Sequence, residues 1–175
     1  MSAPVHVSEL RYLSIATAYK ARGTSNACVQ WSVALALDVR AGILTFGTLR
    51  AANDAEAEVI ANASRVPFIH CWVEVGENTV LAPTTIKRTG GVLVPMLRDH
   101  YYELNEVRDV GHVSRDVFDD IAHRHRLAAA LRHGSPRFGS GKVASELLAA
   151  AGIRYRVDGE NRALLPVDSP ERRMA

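Results

Sequence analysis

Apolar positions along the chain change their spacing several times, and each change marks a different element. Over residues 8–22, Tyr12, Ile15, Ala16 and Tyr19 recur at helical spacing behind a capping Ser8, and Gly23-Thr24 breaks the run. A second helix is predicted from Asn26, capped by Ser25, through ACVQWSVALALDVRA to Gly42, a residue suited to a helix stop. Its apolar residues cover every face, from Val29 and Trp31 to Leu37 and Val39, which places it in the middle of a domain. Residues 51–63 predict a third, more exposed helix. After Pro67 the chain turns to aromatic and β-branched residues in Phe68-Ile69-His70-Cys71-Trp72-Val73-Glu74-Val75, the composition of a strand. Gly76-Glu77-Asn78 supplies a turn and Thr79-Val80-Leu81 the returning strand, while residues 92–96 and 101–107 are further strand candidates.

Helical spacing returns at Ser114. Asp116 sits near the helix start, Val117, Ile121, Ala128 and Leu131 share roughly one side, and Gly134 and Pro136 close the helix. A shorter helix spans residues 142–151 and stops at Gly152. The tail reads as a hairpin, residues 153–157 and 162–167 joined by Asp158-Gly159, followed by a polar, flexible end over 168–175. Both hairpins contain G-E-N-x-x-L-x-P, starting at Gly76 and at Gly159, an echo that turn chemistry explains without a repeat. These elements predict one α+β domain over residues 1–167: a buried helix packed on a small antiparallel sheet, with extra C-terminal helices.

Composition narrows the function classes. The chain has 175 residues, 47% of them apolar, enough for one real core and against disorder. Its apolar runs, such as 33–37 and 127–131, are too short to cross a bilayer, so no membrane partner is expected. The first residues lack the basic-then-apolar pattern of a secretory signal. A reducing cytoplasm is therefore the expected compartment, with export as an effector left open.

A formal charge of +2 gives no strong pull toward nucleic acid. Arg115, Arg124, Arg126, Arg132, Arg137 and Lys142 do gather in the C-terminal helices, which keeps a nucleic-acid-associated protein as an alternative. Asp116, Asp119 and Asp120 offset half of that charge, as on a solvated face. The stretch GSPRFGSGK departs from a phosphate-binding loop at Pro136 and Val143 and reads as a connector. His123 and His125 form an isolated H-x-H with no cysteine nearby. No cofactor and no metal are expected.

One pair of residues carries candidate chemistry. Cys28 falls in the first turn of the buried helix, where unpaired N–H groups and the helix dipole favour a thiolate, the nucleophilic form of a thiol. Its own N–H is a reasonable oxyanion donor, and Asn26 is the nearest side-chain amide. His70 on the first long strand is the natural base. Strand alternation puts His70, Trp72 and Glu74 on one face and Cys71, Val73 and Val75 on the other. If His70 faces the Cys28 helix, Cys71 faces away from it, which argues against a Cys28–Cys71 bridge and for Cys71 as a small core residue. Plain packing accounts for each of these residues taken singly, and Glu74 reads as a solvated strand residue.

The run S-N-A-C-V-Q-W-S-V-A-L-A-L-D-V-R-A-G-I around Cys28, with I-H-C-W-V-E-V around His70 and L-A-P-T-T after it, resembles the transglutaminase-like and papain-like cysteine hydrolase superfamily. The resemblance covers about residues 25–85. It implies a papain-like or transglutaminase-like core and a thiol enzyme that forms an acyl-enzyme thioester from an amide or related acyl bond of a peptide, protein or small substrate. Cys28 would attack and His70 would shuttle the proton, with Trp72 packed beside the site. Whether water or an amine takes the acyl group is not decided by any residue here. The family's D-P-T acid, which orients the histidine, is replaced by Ala82. That role then passes to Asn78, Thr84, Thr85 or an acid from elsewhere. Otherwise the site is a Cys–His dyad or an inactive binding module on the same fold.

Overall fold

A five-stranded antiparallel sheet with a buried helix on one face organises the structure. The computed structural model describes residues 5–6, 10–11, 27–50, 67–83, 92–133, 141–157 and 164–167. The elements are β1 (Val5–His6), α1 (Ala27–Asp38), β2 (Gly42–Leu49), β3 (Phe68–Val75), β4 (Thr79–Leu81), β5 (Val92–Leu93), β6 (Met96–Leu97), α2 (Arg98–Leu104), β7 (Arg108–Val113), α3 (Arg115–Arg124), α4 (Leu127–Arg132), α5 (Lys142–Ala150), β8 (Tyr155–Val157) and β9 (Leu164–Pro166). The sheet order is β6-β4-β3-β2-β7, and β1–β5 and β8–β9 form two small antiparallel pairs. The structure is α+β. The helix expected over 8–22 lies, but for Leu10 and Arg11, outside the described residues, as do the helix of 51–63, the Asp158-Gly159 turn and the tail over 168–175.

The all-round apolar character of α1 has the predicted consequence: Val33, Ala34, Leu35 and Ala36 are fully buried. One side of the helix packs on β2 and β3. The same core joins it to Phe46, Cys71 and Val73 of the sheet and to Phe118, Ile121, Leu127 and Leu147 of the C-terminal helices. α1 stops at Asp38 rather than Gly42, and Gly42 opens β2 after a turn closed by Gly42 N–H donating to Val39 O at 2.8 Å. Arg115 supplies the C-terminal charge that α1 lacks: its Nη1 donates to Ala36 O at 2.7 Å and lies near Val39 O and Gly42 O.

Other boundaries differ from the expectation, each for a physical reason. β2 carries no sequence alternation, because it is buried on both faces between two strands and under α1. Residues 101–104 belong to α2, not to a strand. In a strand, Tyr101 and Tyr102 would point to opposite faces, whereas a helix lets both reach the same sheet face, where they pack on Trp72. The single helix expected from Ser114 to 133 is two, α3 and α4, divided at Arg126 in a left-handed conformation (φ 50°). The 92–96 candidate is split into β5 and β6. No helix among the described residues is long and apolar enough to cross a membrane.

The face of the sheet away from α1 holds a second, smaller core of Leu49, Phe68, Trp72, Val80, Ala82, Tyr101 and Leu165. Trp72 fits there because β2 presents a glycine: a Cβ at Gly47 would stand 2.6 Å from the Trp72 ring.

Candidate functional site

Because α1 runs into β2 through a tight turn, its first residues return to the Leu49 end of β2, where β3 begins with Phe68 and His70. Cys28 and His70 therefore sit at the same end of the sheet. Cys28 is half-buried in the first turn of α1, and His70 is buried, with 2% of its surface exposed.

They do not share a face. The β2–β3 register is unbroken from Gly42↔Val75 to Leu49↔Phe68, so side chains of β3 alternate strictly. Ile69, Cys71 and Val73 belong to the α1 core, and Phe68 and Trp72 to the second core. Ser32, one turn after Cys28, donates its hydroxyl to Cys71 O at 2.9 Å. Burial pushes the Cys71 thiol up, and Cys28 is close enough to add to that push, against a lowering contribution from Ser32. The His70 ring instead meets Phe68 edge-on, with centroids 6.2 Å apart.

The expectation that Cys71 turns away from the Cys28 helix is therefore reversed. The apolar positions of β3 match the apolar helix and take its side, while the polar positions His70 and Glu74 take the other. Both thiols are free.

Of the supporting residues, Ala82 is buried beside Trp72 and Val80, with a methyl group where an acid would share His70's face of the sheet. Asn78 is exposed in the β3–β4 turn, and its carbonyl accepts from Arg98 N–H at 3.0 Å. Val75 lies five residue steps along β3 from His70, about 17 Å, so Asn78 is at the wrong end of β3 to orient the imidazole. Asn26, Thr84 and Thr85 lie outside the described residues.

A cluster that the sequence reading missed lies on the His70 face. Glu74 is buried rather than solvated, and its carboxylate accepts from Trp72 Nε1 at 3.0 Å and from the Tyr102 hydroxyl. His112 Nε2 stands at 3.3 Å and Arg98 Nη1 at 3.9 Å, both on partly exposed side chains. Burial first, and then the bond to Glu74, raises the Tyr102 phenol above its ordinary range. The signal was present in W-x-E: two residues apart on a strand share a face, so the indole N–H can reach the carboxylate. Two hydrogen-bond donors and two nearby basic side chains surround the buried carboxylate and tie α2 and β7 to β3. Among the described residues no group of three or more His, Cys, Asp or Glu could hold a metal ion.

No protein-family model, curated protein or solved structure matches the chain.

Proposed function

We propose that the chain is a catalytically inactive binding module built on a papain-like or transglutaminase-like core. The observation that carries this reading is the separation of Cys28 and His70 by the thickness of β3. Proton transfer from a thiol requires hydrogen-bond reach, about 2.6–3.2 Å or one bridging water, and side chains on opposite faces of a paired strand lack it. The buried methyl of Ala82 supports the same reading, since the side chain at that position carries no acid. Under this proposal the H-x-W-V-E-V letters serve architecture: Trp72 and Glu74 anchor α2, and His70 packs on Phe68.

A thiol hydrolase or acyltransferase acting on a peptide, protein or small amide is the second reading. It draws support from Cys28, a partly exposed thiol in the first turn of a helix, where Cys71 is sealed. Nucleic-acid association has no comparable support. Arg115 is bonded to the Ala36 carbonyl of α1 and to Asp119, and Arg124 to Asp120 and Glu146.

The deciding experiment is the pH profile of iodoacetamide labelling at each cysteine, read by peptide mass spectrometry, in the native protein and in His70→Ala. The module reading expects the Cys28 labelling profile to be the same in the two proteins. Fast labelling at markedly lower pH in the native protein than in His70→Ala would overturn it in favour of the enzyme.

A further inference from the structure

A cavity of about 320 Å³ opens at the end of the sheet where β2 finishes and β3 begins. That volume lies in the range of small-molecule sites. Its wall is apolar at Ile69, Val110 and Ile153, and it is also lined by Arg50, Arg154 and Asp109. Among the described residues, neither arginine side chain makes a hydrogen bond or an ion pair. The wall is preformed. A Cβ at Gly111 would stand 2.2 Å from Ala151 O, so β7 and the α5–β8 connection meet backbone to backbone behind the cavity. Arg50 N–H donates to Asn105 O at 3.2 Å, and Val167 N–H to Arg154 O at 3.4 Å, fixing two more sides.

We infer that this cavity binds a small ligand with an apolar body and one terminal carboxylate, the chemistry shared by an N-acyl amino acid and the C-terminal residue of a peptide. The apolar wall takes the body. A guanidinium matches a carboxylate with two parallel hydrogen bonds, and an exposed arginine gives up water and side-chain freedom, but no protein partner among the described residues, in making them. Two guanidiniums outweigh the single carboxylate of Asp109 and the carbonyl end of α5, so one negative charge is accommodated. Asp109 at the same wall disfavours a second, which selects a carboxylate over a dianionic phosphate. Ile69 precedes Cys71 on the α1 side of β3, so the ligand lies on the sheet face that carries Cys28, away from His70. The inference rests on the binding-module reading and names its ligand.

The test is calorimetric titration of the full chain with N-acetyl-L-leucine, N-acetyl-L-leucinamide, a hexapeptide ending in leucine with a free carboxylate, and inorganic phosphate. At least one free-acid probe is expected to bind tenfold or more tightly than the amide and than phosphate. Arg50→Gln and Arg154→Gln, at exposed positions, are each expected to weaken that binding about tenfold with unchanged melting temperature. The hexapeptide binding more tightly than N-acetyl-L-leucine identifies a peptide terminus as the ligand; equal or weaker binding identifies the small molecule. Equal affinity for acid and amide, no binding of either acid, or affinity indifferent to both arginines would overturn the inference. The labelling experiment separates the two failures. Acid binding beside an activated Cys28 leaves the cavity as a substrate site and sinks the module reading. An inert Cys28 with no acid binding sinks the cavity inference alone.

Discussion

Ser32 donates its hydroxyl to the backbone carbonyl of Cys71 at 2.9 Å, tying the second turn of α1 to the residue that follows His70. The carbonyl is buried, so removing the donor leaves an acceptor without its partner. Ser32→Ala is expected to cost about 1–3 kcal/mol in urea denaturation. Native Cys71 stays inert to thiol reagents in the same variant, because burial is the largest cause of its raised pKa and the Ser32 hydroxyl, now absent, acts on the thiol only to lower it. Native-state labelling of Cys71 in Ser32→Ala would contradict that order of causes.

The Glu74–Tyr102 bond makes a spectroscopic prediction. The Tyr102 phenol is raised by burial and then by Glu74, so its absorbance titration at alkaline pH follows the ordinary tyrosines, and the step is missing in Tyr102→Phe. Glu74→Gln removes the charge and brings the step down toward, without reaching, the ordinary value of 10.0, because desolvation remains. A phenol raised by folding contributes stability that is complete below its unfolded value and is lost as pH rises through the folded one. Tyr102→Phe is therefore expected to cost about 1–2 kcal/mol at neutral pH, a gap that narrows only in strong alkali.

These two clusters show what the chain reveals before it folds. α1 and the β3–β4 hairpin were legible because their signals are local: all-round apolarity in one, aromatic and β-branched residues with a Gly-Glu-Asn turn in the other. β2 was not, since a strand buried on both faces loses its alternation and can be told from a helix end only by its partners. The alternation of β3 was legible, but which face meets α1 was not. That choice depends on matching whole apolar surfaces, and the attraction of a Cys–His pairing pointed the other way. Tyr101 and Tyr102 favoured a strand by propensity, and the demand of one sheet face for both rings overrode it.

Arg115 is the hinge between the C-terminal helices and the core. Its guanidinium caps the Ala36 carbonyl in the last turn of α1, pairs with Asp119 at 2.9 Å and lies 5.0 Å from the Phe118 ring centre. Arg115→Ala is expected to cost about 2 kcal/mol in urea denaturation, and Arg115→Lys roughly half of that, because an ammonium keeps the charge at the helix end but loses the fork. Equal loss in both variants would show that fork geometry, and not charge at the α1 terminus, is what matters.

Glu146 joins α5 to α3 by accepting from His125 Nε2 at 2.7 Å and from Arg124 at 3.4 Å, while Arg124 also holds Asp120 at 2.8 Å. The bond from His125 is the first cause of a lowered Glu146 carboxyl, ahead of Arg124. A carboxylate whose pKa is depressed by folding contributes stability that is complete above its ordinary value of 4.5 and is lost as pH falls through the folded value. Glu146→Gln keeps the shape and removes the charge, so its melting temperature should fall below the parent's by about 1–3 °C at pH 6, the scale of an exposed pair. The gap should close as pH falls through the lowered folded value, where the parent carboxyl is itself protonated. Thermal melts of both proteins across that range decide the matter. A gap that persists in acid would mean that Glu146 holds the two helices by packing, and that the charge contributes nothing.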